Sequence, residues 1–191
     1  GVFRTLSEKD PDPEISALFN QALKDLERLG AVIVDSVAVP NFEELRQDQW
    51  CPTFRTDLED FLQTYVKRDT MSSYDDVIRV GTKSDYTRNR IASMAGNTQR
   101  RGNPEIPCGN AYEDERRVAY RQAIEKTMDS LQLDVLVYPS WNNRPALIDK
   151  FEEQYLGDNS QIIAPATGQP AFTVPMGFSS GNLPAGLQFL G

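Results

Sequence analysis

Residues 167–191 read TGQPAFTVPMGFSSGNLPAGLQFLG and hold two apolar runs separated by a turn-forming segment. The runs AFTVPMG and AGLQFLG are rich in aromatic and branched side chains, which favour β-strands. Between them, FSSGNLP supplies the serine, glycine and asparagine that turns require. The stretch therefore predicts two strands that lie close together. Gln188 is a polar residue in the second strand, and we expect it to need a buried partner.

Upstream of this stretch, helix and strand signals alternate. Residues 10–30 have the pattern of an amphipathic helix, with Asp12 as a cap and Pro13 at the first helical position. AVIVDSVAVP at residues 31–40 and LDVLVYPS at residues 133–140 read as strands, the second buried on both faces. This alternation predicts an α/β fold: a mixed, mostly parallel central sheet flanked by helices as an α/β/α sandwich.

The middle of the chain is predicted to be a helical and loop excursion over residues 41–110. Within it, Ser73 can cap a short helix, and residues 84–110 are polar and loop-like. A long helix is predicted over residues 112–131, and a short helix over residues 160–167.

The number of strands is small for a free-standing parallel sheet. Hydrophobic edge strands without neighbours are a liability in a soluble domain. The chain also stops directly after its last apolar run. We therefore expect residues 1–191 to be the C-terminal part of a single domain whose neighbouring strands are absent from this sequence.

Composition excludes several classes of function. The net charge of −8 argues against nucleic-acid binding and against anionic membrane surfaces, and no apolar run is long enough to cross a bilayer. The chain has no histidine, which removes every histidine-based catalytic triad. Its two cysteines, Cys51 and Cys108, lack metal-ligand spacing and are interpreted as free thiols. We expect neither a metal nor a cofactor.

The loop after the strand at residues 133–140 is the candidate binding site. Ser140, Trp141, Asn142 and Asn143 crowd this loop, and ligands of open α/β sheets bind beyond the carboxyl ends of strands. Trp141 offers an apolar wall, and the asparagine amides offer orienting hydrogen bonds. The alternative is a proline-bounded surface connection.

A serine nucleophile is the other catalytic candidate that the sequence offers. Ser179 and Ser180 precede a glycine, as a nucleophile loop would. The same residues are typical of a turn between strands, and no base partner lies nearby in the sequence. A serine–lysine pairing would need the fold to bring a distant lysine close. The turn is the favoured interpretation.

Two segments together resemble a known family. DVLVYPSWNNRPALI at residues 134–148 and NSQIIAPATGQPAFTVPMGFSSGNLPAGLQFLG at residues 159–191 are similar, in order and spacing, to the C-terminal part of the amidase signature family. The helix and strand at residues 12–37 also resemble the unit that follows the signature region of that family. The likeness is weakest over residues 41–110.

The resemblance implies a large α/β/α fold that hydrolyses carboxamides through an acyl-enzyme. It implies a serine nucleophile, a second serine in a cis peptide and a lysine, a set that needs no histidine. The serine- and glycine-rich signature stretch is absent from this sequence, and Ser179 and Ser180 do not replace it. No catalytic residue is therefore transferred to this chain. It is expected to supply sheet and pocket wall, with a small-molecule amide substrate and the missing N-terminal half as partners.

Two alternatives remain open at this point. The chain could be a non-catalytic binding or interaction module that keeps a remnant of the fold. It could also be an unrelated α/β hydrolase in which Ser179 or Ser180 is the nucleophile.

Overall fold

The computed structural model describes residues 1–66, 68–103, 105, 109 and 111–191. The chain divides into two compact units. The first unit comprises residues 1–47 and 115–191, and the second comprises residues 48–114. The predicted boundaries of the helical excursion, residues 41–110, stay a prediction.

The first unit contains the sheet and the longer helices. Its helices are α1 (Arg4–Ser7), α2 (Pro13–Arg28), α3 (Phe42–Leu45), α7 (Glu115–Ser130), α8 (Phe151–Gln154) and α9 (Ala164–Thr167), with 3₁₀ turns at Ile148–Lys150 and Asn159–Gln161. Its strands are β1 (Leu136–Pro139), β2 (Ala171–Ser179) and β3 (Leu183–Leu190). The second unit contains α4 (Phe54–Phe61), a π-helical turn (Leu62–Val66), α5 (Tyr74–Val80) and α6 (Asp85–Ser93).

The sheet of the described residues is small and antiparallel, in the order β1–β3–β2. The two predicted C-terminal strands are confirmed as β2 and β3, and the structure pairs them as an antiparallel hairpin with Ser180 in the turn. The predicted mostly parallel sheet and the α/β/α sandwich are not confirmed. Parallel pairing among the described residues is limited to one bridge, between Val2 and Val137.

Apolar side chains cover both faces of this sheet. Leu136, Tyr138 and Leu190 belong to a buried cluster with residues of α7 such as Tyr120 and Ile124. A second cluster forms around α2 on the alternate strand positions and contains Phe19, Leu23, Val137 and Leu187. Strand side chains alternate between faces, so the two clusters lie on opposite sides of the sheet.

Several local predictions are confirmed. Helix α2 begins at Pro13, and the Asp12 side chain accepts a hydrogen bond of 2.8 Å from the Glu14 amide. The Ser73 cap of α5 is present as a capping box with Asp76. The predicted short helix over residues 160–167 is present in its second half, as α9, which ends at the left-handed Gly168.

Three predictions are wrong. Residues 31–40 are not a strand, although Val37 and Val39 are buried. The polar segment at residues 84–110 is not simply a loop, since it contains α6. Cys51 is disulfide-bonded rather than a free thiol, and Cys108 lies outside the described residues.

Helices within the described ranges are too short or too polar to span a bilayer.

Candidate functional site

The site forms where β1 ends, at the backbone of Ser140. Its amide donates to the Gly186 carbonyl at 2.8 Å, which continues the pairing of β1 with β3. Its carbonyl accepts from the amides of Asn159 and Ser160 at 2.9 and 3.2 Å. The start of the loop is therefore fixed between the sheet and the 3₁₀ turn at Asn159–Gln161.

The Ser140 hydroxyl belongs to a polar cluster on one face of the sheet. It lies 3.2 Å from the Thr173 hydroxyl and donates to Gln188 Oε1 at 3.3 Å, while Thr173 donates to the same oxygen. The expectation that Gln188 needs a buried partner is thus confirmed. Thr173, on the edge strand β2, is exposed as a residue, so the cluster reaches solvent at one end.

The buried amide of Asn142 is used inside the chain. Its Nδ2 donates to the carbonyls of Leu6 and Lys9, and its Oδ1 accepts from Asn159 Nδ2 at 2.9 Å. The Asn142 carbonyl also accepts from the Asp12 amide at 2.9 Å, which ties the loop to the start of α2. Asn142 therefore holds the loop in place.

Trp141 and Asn143 flank Asn142 and are both partly exposed. The Trp141 ring centre lies 5.5 Å from that of Tyr155 in an edge-to-face arrangement. Arg144, the next residue, pairs with Asp12 at 2.9 Å. The substrate-binding role of Ser140, Trp141, Asn142 and Asn143 stays a prediction.

Thr173 is a member of the polar cluster that the sequence analysis missed, and Tyr138 is a buried core residue close to it in the sheet. Tyr138 lies two positions before Ser140 on β1, so strand alternation places both on the same face. The Tyr138 hydroxyl is buried and has no hydrogen-bond partner in the described part of the chain. Burial, and secondly the negative charge of Asp158, raise the pKa of Tyr138 above its usual range, so the phenol stays protonated.

Ser180 is placed as a turn residue. Its amide and hydroxyl donate to the two oxygens of Glu14, each at 2.6 Å. These bonds lower the pKa of Glu14, which makes its carboxylate a weaker base. Where the structure describes the chain, no lysine hydrogen-bonds Ser180. The geometry therefore gives Ser180 no activating base.

The polar cluster of Ser140, Thr173 and Gln188 consists of hydroxyl and amide groups. Hydroxyl and amide groups can orient a polar ligand, but none of them is paired with a general base as a nucleophile would be. Within the described ranges, no group of acidic or cysteine side chains is arranged to hold a metal ion.

Comparison with known proteins places the whole chain in one family. A family model described as Amidase matches residues 1–191. A glutamyl-tRNA(Gln) amidotransferase subunit from Acinetobacter baylyi is 26% identical, over 94% of this chain and 38% of its own length. The corresponding protein of a Psychrobacter species is 28% identical, over 100% of this chain and 39% of its own length. The chain thus spans about two fifths of these relatives.

Solved structures show the same fold. A peptide amidase from Stenotrophomonas maltophilia matches with a TM-score of 0.52 and 23% identity, over 92% of this chain and 35% of that one. A glutamyl-tRNA(Gln) amidotransferase subunit from Thermotoga maritima matches with a TM-score of 0.54 and 23% identity, over 100% of this chain and 37% of that one.

Proposed function

This chain belongs to the amidase family, and we propose that it is the C-terminal part of an amidase-type hydrolase that cleaves carboxamide C–N bonds. The observation that carries this proposal is the match of the Amidase family model to residues 1–191. The motifs at residues 134–148 and 159–191 support the C-terminal assignment. The coverage of 38% and 39% of two relatives is consistent with it.

In this proposal the chain supplies part of the sheet and one wall of the substrate pocket. Thr173, an exposed residue of β2, presents a hydroxyl 3.2 Å from that of the buried Ser140 at the end of β1, and Trp141, the residue after Ser140, adds a partly exposed apolar surface. Asn142 holds the loop, and Asn143 lies at its partly exposed side. The ligand of this wall is a small-molecule amide.

The bond-breaking groups come from the remainder of the protein. A serine oxygen attacks the amide carbonyl, the C–N bond breaks and the amine leaves with a proton, and water then hydrolyses the acyl-serine ester. A second serine and a neutral lysine relay the protons. The lack of histidine and the engagement of Ser180 with Glu14 support a catalytic set outside this chain.

The outer edge of β2 is the proposed contact with that remainder. Among the described residues, β2 pairs on one side alone, with β3. Eight of its nine residues are exposed or partly exposed. Phe172 and Phe178 are among the exposed ones. Pro175 and the bulge beside it interrupt this edge, and the apolar residues on either side can pair with another strand. We infer that a strand of the N-terminal half pairs with it.

Intact mass spectrometry with a serine-reactive fluorophosphonate tests this function. The 21.5 kDa chain alone should take no label, whereas the chain preceded by its N-terminal half should take one. Ser180→Ala is the control and should leave labelling of the longer protein unchanged. A labelled 21.5 kDa chain would contradict the proposal, because a nucleophile would then lie within these residues. A longer protein that takes no label would favour a non-catalytic binding module.

A further inference from the structure

Three aromatic side chains form a ladder directly after Ser140. We call Trp141, Tyr155 and Phe151 the aromatic ladder. The ring centres of Trp141 and Tyr155 are 5.5 Å apart at an interplanar angle of 73°, and those of Phe151 and Tyr155 are 4.7 Å apart at 18°. All three side chains are partly exposed, so ligand atoms can reach them.

Local hydrogen bonds hold the ladder in position. The Tyr155 amide donates to the Phe151 carbonyl at 2.9 Å, which keeps these two rings one helical turn apart. Gln161 Nε2 donates to the Tyr155 hydroxyl at 3.4 Å. The Leu147 amide donates to Oε1 of Gln154, the last residue of α8, at 3.0 Å. The rings of Phe151 and Tyr155 are therefore preorganised, which lowers the entropic cost of binding.

Exposed aliphatic side chains occur in the same segment. Ile148 is 99% exposed, and Leu147 and Leu156 are also largely exposed. Single exposed apolar residues are ordinary, whereas three within residues 147–156 make this segment a candidate binding surface.

The charges of the segment restrict the ligand. Residues 147–158 contain four carboxylates, Asp149, Glu152, Glu153 and Asp158, against one lysine. A carboxylate ligand would be repelled, whereas an uncharged ligand would not. Aromatic rings in turn favour a ring as their next neighbour, through offset stacking or an edge contact.

We propose that the aromatic ladder binds the ring of an uncharged aryl carboxamide, with Trp141 as the ring contact nearest Ser140. That the ligand is an amide rests on the proposed function; that it is aromatic and not anionic rests on the ladder and its carboxylates. The same charges disfavour the aryl carboxylate that hydrolysis would produce, so the product leaves more readily than the substrate.

Fluorescence of Trp141 tests binding on the chain itself. The chain has two tryptophans, so a Trp50→Phe background leaves Trp141 as the sole reporter. Benzamide should quench its emission saturably, while acetamide and benzoate should not over the same concentration range. Equal responses to benzamide and acetamide, or to benzamide and benzoate, would overturn the proposal.

Ring deletions then locate the binding surface. Phe151→Ala and Tyr155→Ala should each weaken benzamide binding about two- to tenfold, the range of aromatic pair energies. Phe151→Leu keeps apolar bulk without a ring and should weaken it similarly. The matched control is Phe61→Ala, which removes a ring from another aromatic pair, Phe61 and Tyr65, and should change nothing. An unchanged affinity in Phe151→Leu and Tyr155→Ala, with unfolding midpoints intact, would refute the ladder.

The longer protein separates failure of this inference from failure of the proposed function. Fluorophosphonate labelling together with equal hydrolysis of benzamide and acetamide would overturn the ladder and leave the amidase function standing. Benzamide quenching without any labelling would contradict the amidase function and leave the binding role of the ladder standing. If joining the N-terminal half abolishes benzamide quenching, the ladder is an internal packing surface and the inference fails.

Discussion

Gly186 is the residue on which the close packing of the polar cluster depends. A Cβ added there would lie 2.6 Å from Thr173 Cγ2 and 3.0 Å from Ser140 Oγ. Gly186→Ala should therefore lower the free energy of unfolding by about 1–3 kcal/mol, the usual cost of overpacking. Urea unfolding followed by circular dichroism measures this change.

The control for this prediction is Gly96→Ala. A Cβ at Gly96 meets no atom within 4 Å, so the substitution should stay within about 0.5 kcal/mol of the parent. Equal effects at the two glycines would show that the contact with Thr173 and Ser140 does not limit packing.

Asn142 provides the second test at this scale, because its amide bonds lie inside the chain. Asn142→Ala leaves the carbonyls of Leu6 and Lys9 without this donor and should cost about 1–3 kcal/mol of unfolding free energy. Asn143→Ala, a partly exposed neighbour, is the matched variant and should cost less than about 0.5 kcal/mol. A stable Asn142→Ala chain would favour the ligand-binding role over the structural one.

The candidate site was predictable in position more than in detail. The loop after β1 and the need of Gln188 for a partner both follow from residue type and location. Thr173 is one residue among several in an apolar run, and only the pairing of β2 with β3 opposite Gln188 brings it to Ser140. The Asn142 amide hydrogen-bonds to the chain because the carbonyls of Leu6 and Lys9 lie within its reach. Residue type alone does not predict these two contacts.

At the scale of elements, α5 offers a prediction about pH. Its N-terminal turn is a capping box in which the Asp76 carboxylate accepts from the amide of Ser73. The Arg79 guanidinium, followed by the Ser72 amide and the Ser73 hydroxyl, holds the pKa of Asp76 well below its usual range. A depressed carboxyl pKa stabilises the folded state above the ordinary value of about 4, and the contribution is lost as pH falls below it.

Amide exchange of α5 should therefore accelerate, relative to the intrinsic rate, as pH falls from about 5 to about 2. Asp76→Asn should remove this pH dependence, because the capping box then contains no carboxylate that can titrate. Asp75→Asn, which changes a neighbouring carboxylate outside the capping box, should retain it. Exchange that depends on pH in the same way in both variants would rule out Asp76 as the source.

Elements with local signals were predicted better than elements that depend on pairing. Helix α2 carries its own cap, first proline and apolar stripe, and it begins at the predicted residue. Residues 31–40 have the composition of a strand, yet in the described chain only Val34 and Val37 bond to Val2 through the backbone. Branched apolar residues predict burial, which Val37 and Val39 achieve, but a ladder needs a partner strand along its whole length.

At the scale of the whole molecule, strand direction was the main error. The turn after Ser179 is short, and strands joined by so short a connection must run antiparallel. Strand β1 then pairs with β3 across a long stretch of sequence, in a direction that composition does not encode. Apolar runs indicate burial on both faces of the sheet, and the two clusters around α2 and α7 provide it. Burial on both faces does not require parallel strands, and that inference was the source of the error.

The outer edge of β2, which is unpaired among the described residues, leads to the last prediction, self-association of the isolated chain. An apolar edge strand pairs with a second copy when its proper neighbour is absent, and a lysine on such an edge opposes this. Phe178 on β2 is 61% exposed, and Val80 at the end of α5 is 64% exposed.

In a two-fold symmetric dimer a substitution counts twice, so Phe178→Lys should weaken association about tenfold or more in sedimentation velocity. Val80→Lys removes a similarly exposed apolar side chain from the other compact unit and should leave association unchanged. If both lysines weaken association equally, general surface hydrophobicity causes it and the edge does not. If only Phe178→Lys weakens association, and the proposed N-terminal half abolishes association of the parent chain, then the edge that pairs two copies is also the edge that the proposed half covers.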